Sequence, residues 1–360
     1  MPEADSSMRI AYFAHVNGGS RSGVFHKIAG QAEQWRTEGH IVRVFVLTRD
    51  DAAHWQRALG DALVCRYDRV LSRMTAMTKL VRAMRRFHPK VVYLRQDLFY
   101  PQMLCFPTHA ALIVEVNTDD LYEYALGRRI RAVYNARTRD IMLRRARGLV
   151  FVTSELSLRP SFRNYPGRHC VVTNGIRLEA YPTFPAPASE HPRLVFIGTA
   201  GQPWHGVDKL VTLAVMRRDW RFDIVGMRNE THASPPNIDW HGPLERAEAL
   251  GVLAHADVGV GTLALHRNSM NEACSLKVRE YLAVGLPVLY ANRDADADGL
   301  GNLALRIANT ESNVIDELPR IEEFVERSRG VRVPRSSVAH IDVAWKERQR
   351  LTLFEEIAGG

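Results

Sequence analysis

An alternation of two kinds of segment constrains the fold of this chain more than any other feature. MRIAYFA (8–14), IVRVFVL (41–47), VVYL (91–94), ALIVEV (111–116) and GLVFVT (148–153) are short apolar runs of strand length. Segments of helical periodicity lie between them, one from about Val24 to Glu38 that stops at Gly39, another over 72–87, where Leu80, Val81, Met84 and Phe87 recur at helical spacing. Strand, helix, strand, repeated, predicts a parallel sheet covered on both faces.

The alternation stops at YPTFPAPASEHP (181–192), where Pro182, Pro185, Pro187 and Pro192 crowd a stretch with no apolar periodicity. This is a linker signal. The pattern then restarts with RLVFIG (193–198), a helix from about Gly206 to Met216, RFDIVG (221–226), a helix around 245–255, DVGVGTL (257–263), a helix from about Ser275 to Val284, and PVLYA (287–291). A last helix is expected over 338–357, with Trp345, Leu351 and Phe354. The expected architecture is α/β, two Rossmann-like domains facing a central cleft, 1–182 and 193–337, joined by the linker 183–192 and followed by a terminal segment, 338–360. Ligands of open α/β sheets sit outside the carboxyl ends of the strands, so functional residues are sought in the loops that follow them.

Composition narrows the function classes. The 360 residues carry a net charge of +8, with 46% hydrophobic and 24% charged residues, the balance of an ordinary globular protein. The basic residues concentrate in the first half. Eight arginines fall within 128–147, and 79–90 adds Lys79, Arg82, Arg85, Arg86 and Lys90. An anionic partner is implied: a phosphate-bearing substrate or an anionic membrane surface. Solvated helix faces are the plainer alternative. Nucleic acid is disfavoured, because no aromatic–basic RNA signature and no helix-turn-helix pattern occurs. Cys65, Cys105, Cys170 and Cys274 are far apart and form no CxxC pair. With no apolar leader in MPEADSSM and no run long enough to span a bilayer, the expectation is a cytoplasmic protein, with peripheral contact at the inner membrane face.

The stretch NEACSLKVREYLAVGLPVL (271–289) carries the most chemistry. Glu272 and Glu280 are eight residues apart, and Lys277 and Glu280 share one helix face. Ser275 is placed to cap the helix, leaving the backbone N–H groups from Leu276 onward pointing outward. A helix start with a lysine suits a diphosphate, and a carboxylate one turn on can accept hydrogen bonds from ribose hydroxyls. A capped amphipathic helix with a solvated Lys–Glu pair has the same spacing.

The whole string resembles the nucleotide-sugar signature of the family-4 glycosyltransferases, with a Glu-x7-Glu pair and an S-x-K-x-x-E-Y-x-A-x-G-x-P-V core. Other landmarks keep the family's order: TNGIRLEAY (173–181) resembles the segment that ends the first domain, FIGTAGQPWHGVDKLVTLA (196–214) the opening of the second, and VAWKERQRL (343–351) the helix that returns to the first. The resemblance implies a GT-B architecture and a retaining transferase that uses a nucleotide-diphosphate sugar. Glu272 would approach the donor sugar, Lys277 the phosphates and Glu280 the ribose. Gly198, His205 and Gly206 would join Ser275 and Leu276 in holding the nucleotide, with a structural cap as the alternative for His205. The family usually has an arginine soon after the strand glycine and a lysine before the next one, where this chain has Thr199 and His205. Arg267, Lys277 and Lys209 are the candidates to compensate.

Three further loops follow strands. Gly18 and Gly19 in HVNGGSRSGVFHKI (15–28) would let backbone approach the donor, or form a plain turn. His15, at the strand end, is read as a donor or acceptor contact, or as a satisfied core histidine. In EVNTDDLYEY (115–124), where many family members place a histidine, Asn117, Asp119 and Asp120 stand instead; Asp119 could orient or deprotonate the acceptor, or the loop could be an Asx turn. Arg95 is another acceptor-side candidate. Asp294, Asp296 and Asp298 alternate but are expected to form a solvated acidic loop over the donor, not a metal site. No metal or other cofactor is expected.

The implied reaction is retaining transfer of a sugar to a hydroxyl of a glycan, a lipid-linked or a small-molecule acceptor, with domain closure about 181–192 excluding water. A sugar-nucleotide epimerase and a non-catalytic binding or scaffold protein are the alternatives. An NAD-dependent dehydrogenase is disfavoured, since no strand is followed by GxGxxG with an acid about 20 residues on.

Overall fold

A computed structural model of the protein describes all residues except 1–6, 18, 20–21, 126, 128, 230–233 and 360. The chain divides into two compact units, one of Met1–Thr173 with Val343–Gly360, the other of Asn174–Asp342. Unit 2 begins before the Pro-rich stretch because residues 174–176 are stitched into it. Asn174 Nδ2 donates to the carbonyl of Cys274 at 2.6 Å, and Ile176 N donates to the carbonyl of Ile341 at 2.9 Å.

Unit 1 holds seven strands: β1 (Arg9–His15), β2 (Ile41–Thr48), β3 (Leu63–Arg66), β4 (Val91–Arg95), β5 (Ala111–Val116), β6 (Gly148–Phe151) and β7 (Arg168–Val171). All are parallel, in the order β3-β2-β1-β4-β5-β6-β7. Helices α1 (Gly23–Thr37), α2 (Ala53–Leu59), α3 (Val70–Phe87), α4 (Asp120–Ala125), α5 (Arg129–Arg145) and α6 (Ser154–Leu158) connect them. Every residue of β5 is buried, as a strand covered on both faces requires. β3 and β7 are absent from the sequence expectation. Each is a four-residue edge strand with arginine at one end; β7, RHCV, is polar, and the apolar part of β3, LVCR, is too short for the pattern to show.

Unit 2 holds β8 (Arg193–Ile197), β9 (Arg221–Val225), β10 (Ile238–Gly242), β11 (Val258–Val260), β12 (Val288–Tyr290) and β13 (Ala304–Arg306). These too are parallel, in the order β10-β9-β8-β11-β12-β13. Its helices are α7 (Val207–Met216), α8 (Arg246–Ala254), α9 (Leu276–Ala283), α10 (Asn313–Asp316) and α11 (Leu318–Ser328). In α11 a proline in the first turn and the buried stripe Ile321, Phe324, Val325 and Ser328 fix start and face.

The last helix, α12 (Val343–Ala358), belongs to unit 1. It starts five residues later than expected, because residue 342 pairs strand-like with Ile176 and a 3-10 turn, Arg335–Ile341, precedes it. Phe354 packs on the rings of Trp35 and Tyr93, and Trp35 Nε1 donates to Glu347 at 2.9 Å. In each sheet the strand order reverses once, between β1 and β4 and between β8 and β11. The carboxyl ends at those two places are where open α/β sheets put ligands.

Candidate functional site

In unit 2 the switch point is lined from β8 and α9. Tyr281, fully buried, accepts a hydrogen bond at its hydroxyl from Ile197 N at 2.7 Å, locking α9 onto the carboxyl end of β8. Gly259 allows this approach, since a Cβ there would lie 2.4 Å from the Tyr281 ring. One turn earlier on α9, Lys277 sits with Nζ 4.0 Å from the centroid of Phe196, a β8 residue. That Nζ is buried and has no hydrogen-bond partner among the described residues. Burial lowers its pKa to about 7, with Glu280 pulling the other way.

His205 comes from the 3-10 turn that precedes α7, and its ring packs on Phe196 at a centroid distance of 5.5 Å. Burial, and then the neighbouring Lys277, lower its pKa to about 3, so the ring is neutral at physiological pH. The Thr199 backbone pulls the other way. Nδ1 is buried and has no hydrogen-bond partner among the described residues. Gly198 lies against both groups: a Cβ would stand 2.6 Å from Phe196 Cε1 and 3.0 Å from His205 Nδ1. Gly206, with φ of +72°, carries the chain from this turn into α7 against Leu263 and Ala264. Thr199 itself is exposed.

Glu280 is half-buried one turn after Lys277. Burial raises its carboxyl to about 6, while Arg246, Tyr181 and Lys277 oppose the rise. The Tyr181 hydroxyl donates to it at 3.4 Å. Ser275 occupies the N-cap position but its side chain makes no capping bond. Glu272 is buried in an extended stretch paired with Arg293.

Three expectations in this unit need correction. Lys209 is no reserve cation: its ammonium donates to the carbonyls of Leu263 (3.1 Å) and Thr310 (2.5 Å) and to Asn313 Oδ1 (3.2 Å), which uses all three protons. Arg267 is held by Asp208 in a two-pronged pair at 2.7 and 2.8 Å and by Glu311, so an incoming phosphate would compete with two carboxylates. Asp294 and Asp296 are not a solvated loop. They are buried around the guanidinium of Arg279, itself 0% exposed, which donates to both. Asp298 accepts from Tyr290 and Arg306. Arg279 also reaches the Asn174 carbonyl at 3.4 Å, so this buried pair braces α9 from beneath. Among the described residues no group of three or more His, Cys, Asp or Glu side chains could hold a metal ion.

In unit 1, His15 is enclosed. Nε2 lies 2.6 Å from the Tyr67 hydroxyl, and Nδ1 meets Asp97 and, at 3.0 Å, the Tyr100 hydroxyl. Tyr124 donates to Asp97 at 2.5 Å. Burial opposes ionisation of Asp97, but these hydrogen bonds outweigh it and lower its pKa. Both ring nitrogens of His15 are thus engaged, which is the satisfied-core alternative. Asp97 and its tyrosines escaped the sequence reading; a carboxylate two residues past the end of β4 was the available signal. Arg95 and Asn117 donate to Glu115 at 3.4 and 3.1 Å, and the Lys27 ammonium reaches Glu115 and Asn117 Oδ1 at 2.8 Å each. Asp119 forms the Asx turn, accepting from Leu121 N at 3.3 Å and from Ser161. Asp120 is not an acceptor-facing group: Arg139 grips it at 2.7 and 2.8 Å and Asn135 at 2.6 Å, all buried. Gly19 adopts φ of +61° and donates to Asp50 at 3.0 Å; Gly18 lies outside the described residues.

Comparison with solved structures decides what kind of scaffold carries this site. A glycosyltransferase from Rickettsia africae ESF-5 matches over 98% of each chain, at 13% identity and a TM-score of 0.65. An α-glucosyltransferase in complex with UDP-glucose and DNA containing an abasic site matches over 97% of this chain and 99% of its own, at 11% identity and a TM-score of 0.66.

The fold is that of the GT-B glycosyltransferases.

The sucrose-phosphate synthase of Thermosynechococcus elongatus shares it, at 13% identity, with 98% of this chain and 96% of that one covered and a TM-score of 0.63. At such identities the likeness is one of fold. No family model matches the sequence, and no curated protein matches it either. In this GT-B chain the unpaired polar atoms of Lys277 and His205 stand at the unit 2 switch point, where the strand order turns back.

Proposed function

We propose that the protein is a retaining glycosyltransferase that moves a sugar from a nucleotide-diphosphate sugar to an acceptor hydroxyl, with unit 2 holding the donor. The observation that carries this reading is the buried, unpartnered ammonium of Lys277 in the first turn of α9, beside the unpartnered Nδ1 of His205. Leaving buried polar atoms unpaired is costly unless a ligand completes them. A diphosphate does so: Lys277 binds one phosphate, the free N–H groups at the start of α9 bind it from the helix end, and His205 adds a neutral contact. Glu280 accepts from the ribose hydroxyls, and Glu272 faces the donor sugar. The GT-B fold supports the same assignment, and UDP-glucose, bound in one structure of that fold, is the first donor to test.

In the reaction the bond from C1 of the sugar to the phosphate oxygen breaks, and its electron pair goes to the diphosphate. Lys277 and the helix dipole stabilise that charge as it develops. The acceptor oxygen bonds to C1 on the face the phosphate leaves, and its proton passes to a phosphate oxygen. Asp119 and His15 receive no role, since their polar atoms are already engaged. No metal is assigned either: Asp294 and Asp296 are committed to Arg279, which a cation would have to displace. The acceptor class proposed is a hydroxyl of a glycan, a lipid-linked or a small molecule.

The test is calorimetry with UDP, GDP, dTDP and ADP, then product analysis with the donor that binds. Binding of one diphosphate, transfer undiminished in EDTA, and an α-linked product from an α-linked donor are expected. No binding by any of the four overturns the donor site. Isomerised donor without acceptor would show epimerisation, and an inverted product would overturn retention.

A further inference from the structure

We propose that the outer face of α3 in unit 1 is a docking site for an anionic phospholipid membrane. The helix sequence VLSRMTAMTKLVRAMRRF carries Arg73, Lys79, Arg82, Arg85 and Arg86 and not one acid. Its buried side is Ala76, Met77, Leu80, Val81, Met84 and Phe87. Helical spacing sets Leu71, Thr75, Thr78, Arg82 and Arg86 in one stripe on the opposite side. A groove of about 830 Å³ opens beside that stripe, with Arg43, Lys79, Arg82 and Arg86 on its walls and Met74 and Gln102 at one end.

Among the described residues Lys79, Arg82 and Arg86 have no carboxylate within salt-bridge reach. Arg43 donates to the carbonyl of Asp61, whose carboxylate is taken by Arg36. Four cations in one groove without a neutralising acid repel one another, which a phosphate headgroup would reverse.

A second observation selects a membrane over a soluble anion. The N-terminal end of the same helix exposes Val70 (64%), Leu71 (78%) and Met74 (48%). Gln102 Nε2 donates to the Met74 carbonyl at 3.2 Å, which ties to this end the turn that carries Leu104, 51% exposed. Aliphatic side chains bordering unpaired cations match the interface of a bilayer, where headgroups meet acyl chains. A single-stranded nucleic acid would want exposed aromatic rings to stack on, and the two tyrosine rings that Arg73 of this helix lies over, Tyr67 and Tyr100, are buried. No helix among the described residues is long and apolar enough to cross a membrane, so the contact is peripheral.

The proposal does not rest on the transferase reading, and its test reads no activity. The full chain is co-sedimented with phosphatidylcholine vesicles, with and without phosphatidylglycerol. Binding only to the anionic vesicles, weakened by salt, is expected. Each basic residue near such a surface strengthens binding roughly five-fold, so Arg82→Glu with Arg86→Glu should weaken it by at least roughly twenty-fold at unchanged thermal stability. Leu71→Ser with Leu104→Ser should weaken it at low salt too. Absence of binding overturns the proposal, as does binding that the arginine variants leave intact. Binding that the leucine variants do not alter and that inorganic polyphosphate abolishes would assign the groove to a soluble polyanion instead.

Discussion

Replacing Lys277 with methionine should make the free protein more stable and unable to hold a diphosphate. Its Nζ is buried over Phe196 with no hydrogen-bond partner among the described residues, and burial brings its pKa from 10.5 to about 7. At about 1.4 kcal/mol per pKa unit, that drop corresponds to at most about 5 kcal/mol against the charged form. The side chain as a whole is only half-buried, and the Phe196 ring repays part, so a gain of about 2 kcal/mol is expected at pH 6. The sign of the pH dependence follows from linkage. The folded state binds the proton less tightly than the unfolded chain, so the wild type has its full stability above pH 10.5 and loses it as the pH falls through about 7. The advantage of Lys277→Met should therefore be largest below pH 7 and vanish near 10.5. Calorimetric unfolding of both proteins across this range, without ligand and then with saturating nucleoside diphosphate, reads both effects. The wild type should gain about 2.7 kcal/mol at a hundredfold excess of ligand over Kd, and the variant almost nothing. A variant less stable than the wild type at pH 6, or one that the diphosphate stabilises equally, would refute the reasoning.

Glu280→Gln should weaken nucleoside diphosphate binding about tenfold at pH 7.5, the loss of one charged hydrogen bond, while inorganic pyrophosphate binds as before; titration calorimetry compares the two. Gly226→Ala should cost about 3 kcal/mol by urea unfolding, because φ is +93° and the new Cβ would fall 2.0 Å from the Gly198 carbonyl oxygen. In contrast Gly251→Ala, in α8 with nothing within 4 Å, should be stabilising by about 0.5–1 kcal/mol. Arg279→Met should cost about 3–5 kcal/mol, since it strands Asp294 and Asp296 as buried charges, and Asp294→Asn in the same chain should restore part of the loss.

The α/β class and the strands at the centre of each sheet are legible in the sequence because central strands are covered on both faces, and β1, β2, β5 and β8 show it as apolar runs. The edges are not legible. β3 and β7 need bury little: β7 is polar, and β3 shows only the three apolar residues Leu63, Val64 and Cys65. The start of α12 is set by the pairing of residue 342 with Ile176, far away in the chain. The motif on α9 was readable because its residues are local, a lysine and, one turn on, a glutamate and a tyrosine of the same helix. The enclosure of His15 was not, since Tyr67 arrives from the loop after β3 and Asp97 and Tyr100 from the loop after β4.

Charge alone also does not tell which cations a fold leaves for a ligand. Lys209, Arg267 and Lys277 are equivalent as letters after strands or on helices of one unit. Folding separates them by the partners it supplies: three oxygens for the ammonium of Lys209, two carboxylates for the guanidinium of Arg267, and only the face of Phe196 for Lys277. The first two contribute to stability and would lose it on turning to a phosphate. Lys277 lowers the stability of the free protein and recovers the cost only when an anion arrives, so it alone of the three gains from binding. His205 behaves in the same way: its ring packs on the same Phe196, and its Nδ1 has no partner among the described residues. Since its ring stays neutral, the site meets a diphosphate with one titrating cation and a set of dipoles. Affinity should therefore fall as the pH rises above about 7 and Lys277 loses its proton.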